Sequence, residues 1–474
     1  MPKEELILTK LFINWSSMTP ESVVALPGSG SYRRYYRITG EGRTVLGVYN
    51  SDQKENIAFL SFTGTFRKAG FPVPQIYHAD PENNCYLLED LGDLTLFGLI
   101  GNTRKSTEVF PEEANQVYLD VIRWLPEFQV RGASIIDYGV CYPRASFDRQ
   151  SMMWDLNYFK YYFLKLAKVP FDEQKLEDDF YTLTEFLLDA DCDYFMYRDF
   201  QSRNIMIRDG KPWFIDYQGG RKGPLHYDIA SLLYDAKAGI PDSKREELVN
   251  AYLKELKKYL PVDRNRFLRH YYGFVLIRIL QALGAYGFRG YYENKPHFLQ
   301  SIPYAIKNLK GLLDHERITI KMPMLIRVLE KMIDDPRFFF PDFSESRLTV
   351  HIFSFSYRKL IPVDPGGNGG GFVFDCRALP NPGKIEEYKL LTGKDQPVID
   401  FLKNEPAVDE FLNHIFALVD QSVKRYTERD FSSLMVSFGC TGGQHRSVFC
   451  AEELAKHISQ KFPVKVEVHH TEFP

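Results

Sequence analysis

Three oxygen-bearing side chains stand close together in the middle of the sequence, at the ends of short apolar runs. Asp199 follows the run 195–198, Asn204 comes five residues later, and Asp216 closes the run 213–215. One carboxylate can accept the proton of a hydroxyl group, and a second carboxylate with an amide oxygen provides the hard ligands that Mg²⁺ prefers. Phosphoryl transfer asks a protein mainly for such positioning and charge neutralisation. The pattern predicts Asp199 as a base and Asn204 and Asp216 as metal ligands.

Each of these residues also has a structural interpretation, because Asp and Asn are common in loop caps and strand-end turns. Their joint spacing favours the chemical interpretation, since a hairpin at 208–212 separates Asn204 from Asp216 and apolar strands flank both.

The elements that must position these residues change in character along the chain. Strand-like runs separated by glycine turns, together with one helix at 54–69, predict a small antiparallel-sheet lobe over about 1–95. Apolar residues at helical spacing predict a helix-rich lobe over about 96–335. Proline and acidic residues at 334–342 predict a linker. Strands at 348–355, 372–375 and 434–439 then alternate with helical runs at 397–425 and 446–460, which predicts a smaller α/β domain over 345–474.

Composition and charge exclude several classes of protein. The 474 residues carry a net charge of −3, which gives no global attraction to nucleic acid or to an anionic membrane. The six cysteines form no CxxC pair, so neither a disulfide framework nor a zinc knuckle is indicated. No signal peptide and no transmembrane run is recognised, and we expect a cytoplasmic protein without membrane contact.

A second motif lies near the end of the sequence, where the run 436–439 leads through a glycine turn into a helix from about 446. A strand, a turn and a helix N-terminus direct backbone N–H groups at one point, which favours an anion. The residues of this predicted anion loop are Cys440, Thr441, Gly442, Gly443, Gln444, His445, Arg446 and Ser447. Three interpretations stay open: a phosphate cradle, a structural turn, or a thiolate nucleophile, since Cys440 and Arg446 have the C-x₅-R spacing of thiolate phosphatases.

The first part of the chain resembles a known superfamily of kinases. Its segments 28–35, 71–74, 87–93, 197–204 and 227–233 are similar to those of the aminoglycoside-phosphotransferase and choline-kinase superfamily, over residues 20 to 330. Within it, the chain looks most like the N-acetylmuramate/N-acetylglucosamine anomeric kinases of bacterial cell-wall recycling. The resemblance implies an α+β bilobal kinase-like fold, with a small antiparallel-sheet lobe and a helical lobe, that uses ATP and Mg²⁺.

The resemblance also implies roles for particular residues. The turn formed by Gly28, Ser29, Gly30 and Ser31 would cover the ATP phosphates, and Glu89 and Leu91 would form the hinge that meets adenine. Aromatic residues at 154, 158 and 161 would stack on the acceptor, although aromatic residues at helical spacing are also typical of a core. Asp228 is interpreted as a helix N-cap, and Glu55 either as the partner of a cation near the phosphates or as an exposed helix charge.

The sequence departs from the kinase pattern in the strand at 45–49 and in the catalytic segment, which begins Tyr197-Arg198-Asp199 rather than His-Arg-Asp. The strand at 45–49 has no lysine to pair with the phosphates. Two alternatives stay open: Arg34, Arg37 or Lys54 substitutes for it, or the site relies on Mg²⁺ alone. Asp216-Tyr217-Gln218 stands where protein kinases have Asp-Phe-Gly, which argues against a protein kinase.

The last part of the chain, 347–474, resembles the C-terminal domain of the RapZ family, through the anion loop and the segments 374–382 and 391–395. The resemblance implies a site for a sugar phosphate, with Asp375 and Arg377 close to the anion loop; a buried ion pair at the strand end is the alternative. It also implies that this domain can mediate oligomerisation. The sequence ends without a basic RNA-contacting tail, so RNA binding is not favoured.

Taken together, these features predict an ATP-dependent kinase that phosphorylates a hydroxyl group of an amino sugar and carries a product-sensing domain. The alternative is a regulatory protein that binds a metabolite or RNA and has a degenerate kinase lobe.

Overall fold

The computed structural model describes residues 2–27, 33–103, 110–293, 295–338, 348–359, 361–364, 370–429, 431–462 and 464–472. The chain divides into two compact units. The first comprises Met1–Tyr292 and Ser301–Phe338, and the second comprises Glu293–Gln300 and Phe339–Pro474.

The first unit begins with a small lobe built on a five-stranded sheet. Its elements are α1 (Lys3–Ser16), β1 (Ser22–Ala25), β2 (Arg34–Gly40), β3 (Arg43–Tyr49), α2 (Gln53–Lys68), β4 (Ile76–Asp80) and β5 (Cys85–Glu89). The strand order is β1-β2-β3-β5-β4, and all neighbouring strands are antiparallel.

The two helices of the small lobe contact residues that alternate along the strands. Leu8 and Phe12 of α1 share a core with Leu87, whereas Phe59 of α2 stacks on Tyr86, the neighbour of Leu87 on β5. Because successive side chains of a strand point to opposite faces, the sheet is covered on both sides. Gly47 on β3 permits the approach of α1, since a Cβ there would lie 3.1 Å from Leu8.

The rest of the first unit is mainly helical. Its helices are α3 (Leu96–Thr103), α4 (Glu112–Pro126), α5 (Gly132–Ile135), α6 (Arg149–Phe159), α7 (Glu173–Leu188), α8 (Leu225–Leu233), α9 (Asp242–Leu256), α10 (Arg264–Gly287), α11 (Ile302–Asp314) and α12 (Pro323–Asp334). Two short antiparallel pairs stand among them, and they join β6 (Tyr194–Met196) to β9 (Arg221–Gly223) and β7 (Ile205–Arg208) to β8 (Lys211–Phe214). The predicted site residues lie on the loops of these pairs.

The second unit has a parallel sheet with helices. Its elements are β10 (Thr349–Ser356), β11 (Phe372–Asp375), α13 (Gln396–Lys403), α14 (Pro406–Glu428), β12 (Ser433–Cys440), α15 (Arg446–Lys461) and β13 (Lys465–His470). The strand order is β11-β12-β10-β13, and every pairing is parallel. Val350, Ile352 and Val436 pack against the helices in one core.

The predicted fold class is confirmed: a small antiparallel-sheet lobe, a helical lobe and a separate α/β domain are all present. The predicted helical run 397–425 is two helices, because Asn404 ends α13 and Pro406 begins α14. The edge strand β13 was not predicted. No helix in the described part of the chain combines the length and the apolar character needed to cross a membrane.

Candidate active site

The loop that carries Asp199 is held by a carboxylate beneath its backbone. The backbone N–H groups of Tyr197 and Arg198 donate to Asp228, at 2.8 and 3.0 Å, and Gln129 Nε2 donates to the same carboxylate at 3.3 Å. Burial raises the pKa of Asp228 to about 7, although the backbone N–H groups favour its charged form. The predicted role of Asp228 as a helix N-cap is wrong, since Pro224 occupies that position of α8.

Arg198 fixes the same loop from its other side. Its guanidinium makes two hydrogen bonds to Asp155 of α6, at 2.6 and 2.8 Å, and lies over the rings of Phe147 and Tyr227. Its φ of +81° is in the region that residues with a side chain rarely adopt. Such strain persists only where the surroundings impose it, and here these contacts impose it on the residue before Asp199.

The structure brings Asp199, Asn204 and Asp216 together. Asn204 Nδ2 donates to the backbone oxygen of Asp199 at 2.8 Å and to Asp216 Oδ2 at 3.1 Å. The Tyr197 hydroxyl donates to the backbone oxygen of Ile215 at 2.6 Å, which ties the loop of Asp199 to the strand end that carries Asp216.

A buried arginine that the sequence analysis overlooked lies beside these residues. Arg33 precedes β2, and its guanidinium is 3.0 Å from Glu55 Oε1 of α2 and 3.6 Å from Asp216 Oδ1. Gln218 Nε2 contacts the same two carboxylates, at 2.7 Å from Asp216 Oδ1 and 3.4 Å from Glu55 Oε1. Arg33 is only 3% exposed. Glu55 is therefore the partner of a cation, as one of the two predicted alternatives had it.

The three predicted substitutes for the missing lysine have other partners. Arg34 forms an ion pair with Glu4, and Arg37 forms ion pairs with Asp90 and Asp93. Lys54 lies over the ring of Tyr142. The strand register places Arg33 at the site: Tyr35 pairs directly with Val48 of β3, and Arg33 lies two residues before Tyr35 on the same face.

The neighbouring carboxylates of Asp199 and Asp216 favour the binding of a cation at this site. Partial burial and the neighbouring Asp199 carboxylate raise the pKa of Asp216, while Arg33 lowers it. The nitrogen of the Asn204 amide makes both of its hydrogen bonds described above, which leaves the amide oxygen as the atom for a metal. The Asp216 carboxylate and the Asn204 amide oxygen form an oxygen donor set that fits Mg²⁺.

Only some of the residues predicted to contact the nucleotide lie in the described part of the chain. Gly28, Ser29, Gly30 and Ser31 lie outside the described residues. Glu89 ends β5 and pairs with Arg208 at 2.7 Å, and Leu91 is buried in the segment that follows. That segment reaches the helical lobe directly, since Ile207 N donates to the backbone oxygen of Leu94. It is therefore the connection between the two lobes.

The aromatic residues predicted to contact the acceptor differ in their surroundings. Trp154 and Tyr161 are exposed, and Arg144 and Lys165 lie over their rings. Tyr158 packs edge-on against Tyr162. Tyr158 therefore belongs to an aromatic cluster, whereas Trp154 and Tyr161 have rings that solvent reaches.

In the second unit, the anion loop joins β12 to α15 as predicted. Gly443 has a φ of +68°, and its N–H donates to Cys440 Sγ at 3.2 Å. The Ser447 hydroxyl lies 3.2 Å from the same sulfur. His445 Nε2 contacts the backbone oxygen of Tyr388 at 2.9 Å. Thr441, Gly442 and Gln444 are exposed, so the loop is open to solvent at these residues.

Arg446 is buried under this loop. Its Nη1 donates to the backbone oxygens of Arg377 and Leu379, at 2.8 and 2.9 Å. Its Nε is buried and has no hydrogen-bond partner among the described residues, so one donor remains for an anion. Asp375 and Arg377 form an ion pair at 2.7 Å, and both side chains are about half exposed. The predicted alternative of an ion pair is therefore present, but the pair is not buried.

Two family models match the chain. The model described as the phosphotransferase enzyme family matches residues 22–263, which is more than half of the chain, and the model described as the RapZ C-terminal domain matches residues 348–474. Both family-level predictions made from the motifs are confirmed.

Individual relatives match over shorter stretches or at low identity. A nucleotide-binding protein of Fervidobacterium nodosum is 39% identical over 132 residues, which are 28% of this chain and 45% of that protein. One of Glaesserella parasuis is 40% identical over 127 residues, 27% of this chain and 42% of that protein. The chain thus spans less than half the length of these curated relatives.

Among solved structures, the choline kinase LicA of Streptococcus pneumoniae is 15% identical with a TM-score of 0.45, and the match covers 65% of this chain and 100% of that one. A Plasmodium vivax ethanolamine kinase is 12% identical with a TM-score of 0.46, over 63% of this chain and 84% of that one.

Proposed function

The chain belongs to the phosphotransferase enzyme family, and on this premise we propose that its first unit transfers the terminal phosphoryl group of ATP to a hydroxyl group of an amino sugar. The observation that carries the proposal is the convergence of Asp199, Asn204 and Asp216 beside the buried Arg33. These groups provide a proton acceptor, oxygen ligands for a metal and a fixed positive charge, which are the parts that phosphoryl transfer requires.

Each group has a separate task in this mechanism. Asp199 accepts the proton of the acceptor hydroxyl as the oxygen of that hydroxyl attacks the terminal phosphorus of ATP. Asn204 and Asp216 would hold Mg²⁺, which neutralises charge on the nucleotide phosphates when it is bound. Arg33 supplies the positive charge that the strand at 45–49 lacks. Glu55 holds its guanidinium, and Gln218 in turn donates to Glu55 and Asp216.

The class of acceptor rests on the motifs and on the second unit. The motifs of residues 20 to 330 resemble those of N-acetylmuramate and N-acetylglucosamine kinases. A RapZ C-terminal domain follows in the same chain. Its anion loop fits a phosphate group because the N-terminus of α15 directs backbone N–H groups at the loop. In addition, Arg446 Nε has no hydrogen-bond acceptor among the described residues. A sugar kinase joined in one chain to a site for a sugar phosphate would form a feedback unit in cell-wall sugar recycling.

The experiment is a screen of amino sugars with Mg-ATP, in which the release of ADP measures turnover. We expect Asp199→Asn to lower turnover by roughly 10²- to 10⁴-fold, because it removes the proton acceptor. Asp209→Asn is the matched control, since Asp209 lies in the β7–β8 hairpin with its side chain 91% exposed. The proposal fails if no sugar supports release of ADP, or if the two variants behave alike.

A second function is favoured by the curated relatives, which are named nucleotide-binding proteins. In this alternative, the chain is a regulatory protein that binds a metabolite or RNA and does not turn over sugars. Tight RNA binding that weakens steeply with salt, together with the absence of sugar turnover, would favour it.

A further inference from the structure

Three potential metal ligands meet at the edge of the sheet in the second unit. His351 lies on β10, and Glu467 and His469 lie on the edge strand β13. The parallel register pairs His351 directly with Glu467 and Phe353 with His469. Since side chains two residues apart on a strand share a face, all three side chains project from the same face of the sheet.

The distances among their ligand atoms suit one ion. His351 Nδ1 lies 3.1 Å from Glu467 Oε2, and His469 Nε2 lies 3.7 Å from the same oxygen. All three ligand atoms are within 4.8 Å of one another, and no other such group was found in the part of the chain that the structure describes. Ligands about 2.0–2.1 Å from a tetrahedral Zn²⁺ are separated by about 3.3 Å. Small side-chain rotations would therefore bring all three atoms onto a single ion.

A simple ion pair explains this arrangement less well. His351 Nδ1 is buried, and despite the nearby carboxylate it has no hydrogen bond of acceptable geometry among the described residues. Buried polar atoms are nearly always satisfied. A nitrogen and an oxygen that face a common point without forming a hydrogen bond are arranged like two ligands of one cation.

Neighbouring side chains hold two of the ligands. The His469 ring stacks on Phe353 with centroids 4.9 Å apart. Lys465 Nζ lies 2.6 Å from Glu467 Oε1, which leaves Oε2 directed at the histidines. Such outer contacts orient the ligands of protein metal sites.

We propose that His351, Glu467 and His469 form a binding site for a divalent ion of the zinc class. Two imidazoles and one carboxylate are a ligand set that suits zinc. Three protein ligands leave a further coordination position for water or for a group from solution. The bound ion joins the edge strand β13 to β10. The site is independent of the proposed phosphoryl transfer.

The test uses the full chain, stripped of metal by a chelator and titrated with Zn²⁺ and, separately, with Co²⁺. We expect one Zn²⁺ per chain and a Co²⁺ spectrum without a thiolate charge-transfer band. His469→Gln should weaken Zn²⁺ binding by more than about tenfold, since even outer contacts of metal ligands carry about 10- to 100-fold in affinity. His469 is about half exposed, so its replacement leaves the core intact, and circular dichroism checks the fold.

His457→Gln is the matched control. His457 also contacts a carboxylate, Asp420 at 2.9 Å, in the same unit, but it belongs to no group of three potential ligands among the described residues. This variant should bind Zn²⁺ like the original chain. The proposal is overturned if the chain binds no Zn²⁺, if His469→Gln binds it unchanged, if His457→Gln loses it equally, or if the Co²⁺ spectrum shows thiolate ligation.

Discussion

Replacing Arg33 tests the proposed phosphate site most directly. The substitution is Arg33→Met, which keeps the length of the side chain and removes its charge. The control is Arg34→Met at the adjacent residue, whose side chain is 61% exposed and forms an ion pair with Glu4. The pair of variants compares a buried cation at the site with an exposed cation one residue away.

The magnitude follows from the contacts of Arg33. Its guanidinium is 3.0 Å from Glu55 and 3.6 Å from Asp216, and removing one partner of a buried ion pair costs about 3–5 kcal/mol. Both carboxylates are about one-third exposed, so we expect the unfolding free energy to fall by about 3 kcal/mol, at the lower end of that range. Loss of one preorganised donor to a transition state typically costs about 10²- to 10³-fold in rate, and we expect kcat/KM for ATP to fall by that amount.

The assay must separate a lost phosphate contact from a damaged fold. Affinities for ATP, ADP and adenosine are measured by calorimetry beside turnover. A lost phosphate contact weakens ATP and ADP but leaves adenosine unchanged, whereas a damaged fold weakens all three alike. Arg33→Lys should recover part of the ATP affinity because it restores a charge without the planar fork. The reasoning is refuted if Arg33→Met matches Arg34→Met in ATP affinity and turnover.

The remaining predictions concern the support of the site and its response to acid. Asp228→Ala should lower the unfolding free energy by several kcal/mol and lower kcat, since it leaves the buried N–H group of Tyr197 and the partly buried N–H group of Arg198 unpaired, at about 1–3 kcal/mol each. Urea titration and turnover measure this, and unchanged values would contradict it. Burial, reinforced by His270, lowers the pKa of His226 to about 3. The unfolded chain therefore binds more protons between about pH 6.5 and 3, and stability is lost as pH falls through that window, by up to about 1.4 kcal/mol per pH unit. His226→Phe should make urea unfolding less sensitive to acid between pH 7 and 5, and an identical pH dependence in both proteins would refute this.

Much of the candidate site could be predicted because it is local in the sequence. Asp199, Asn204 and Asp216 fall within 18 residues, and the apolar runs between them predicted the strands that bring them together. The role of Asp228 was mistaken because a helix N-cap is also a local pattern, whereas its carboxylate contacts backbone N–H groups about thirty residues earlier.

The edge strand β13 shows why other parts could not be predicted. Its residues Lys465–His470 alternate polar and apolar side chains without a buried run, and their strand conformation comes from pairing with β10. The alternation is short and is broken by His469 and His470, which are both polar, so the strand is weakly specified by its own residues. The approach of Glu467 to His351 follows from that pairing alone.

By itself, the sequence determined most of the helices and strands, the two family memberships, and the three residues whose spacing suggested phosphoryl transfer. Periodicity and short motifs involve residues that are close together in the sequence, so they can be recognised without knowledge of the fold. Only the tertiary structure decided that Arg33, and neither Arg34 nor Arg37, meets Glu55 and Asp216. The reason is physical: a charge is positioned at a site by the packing of strands and helices from distant parts of the chain, and the free energy of that packing belongs to no single segment.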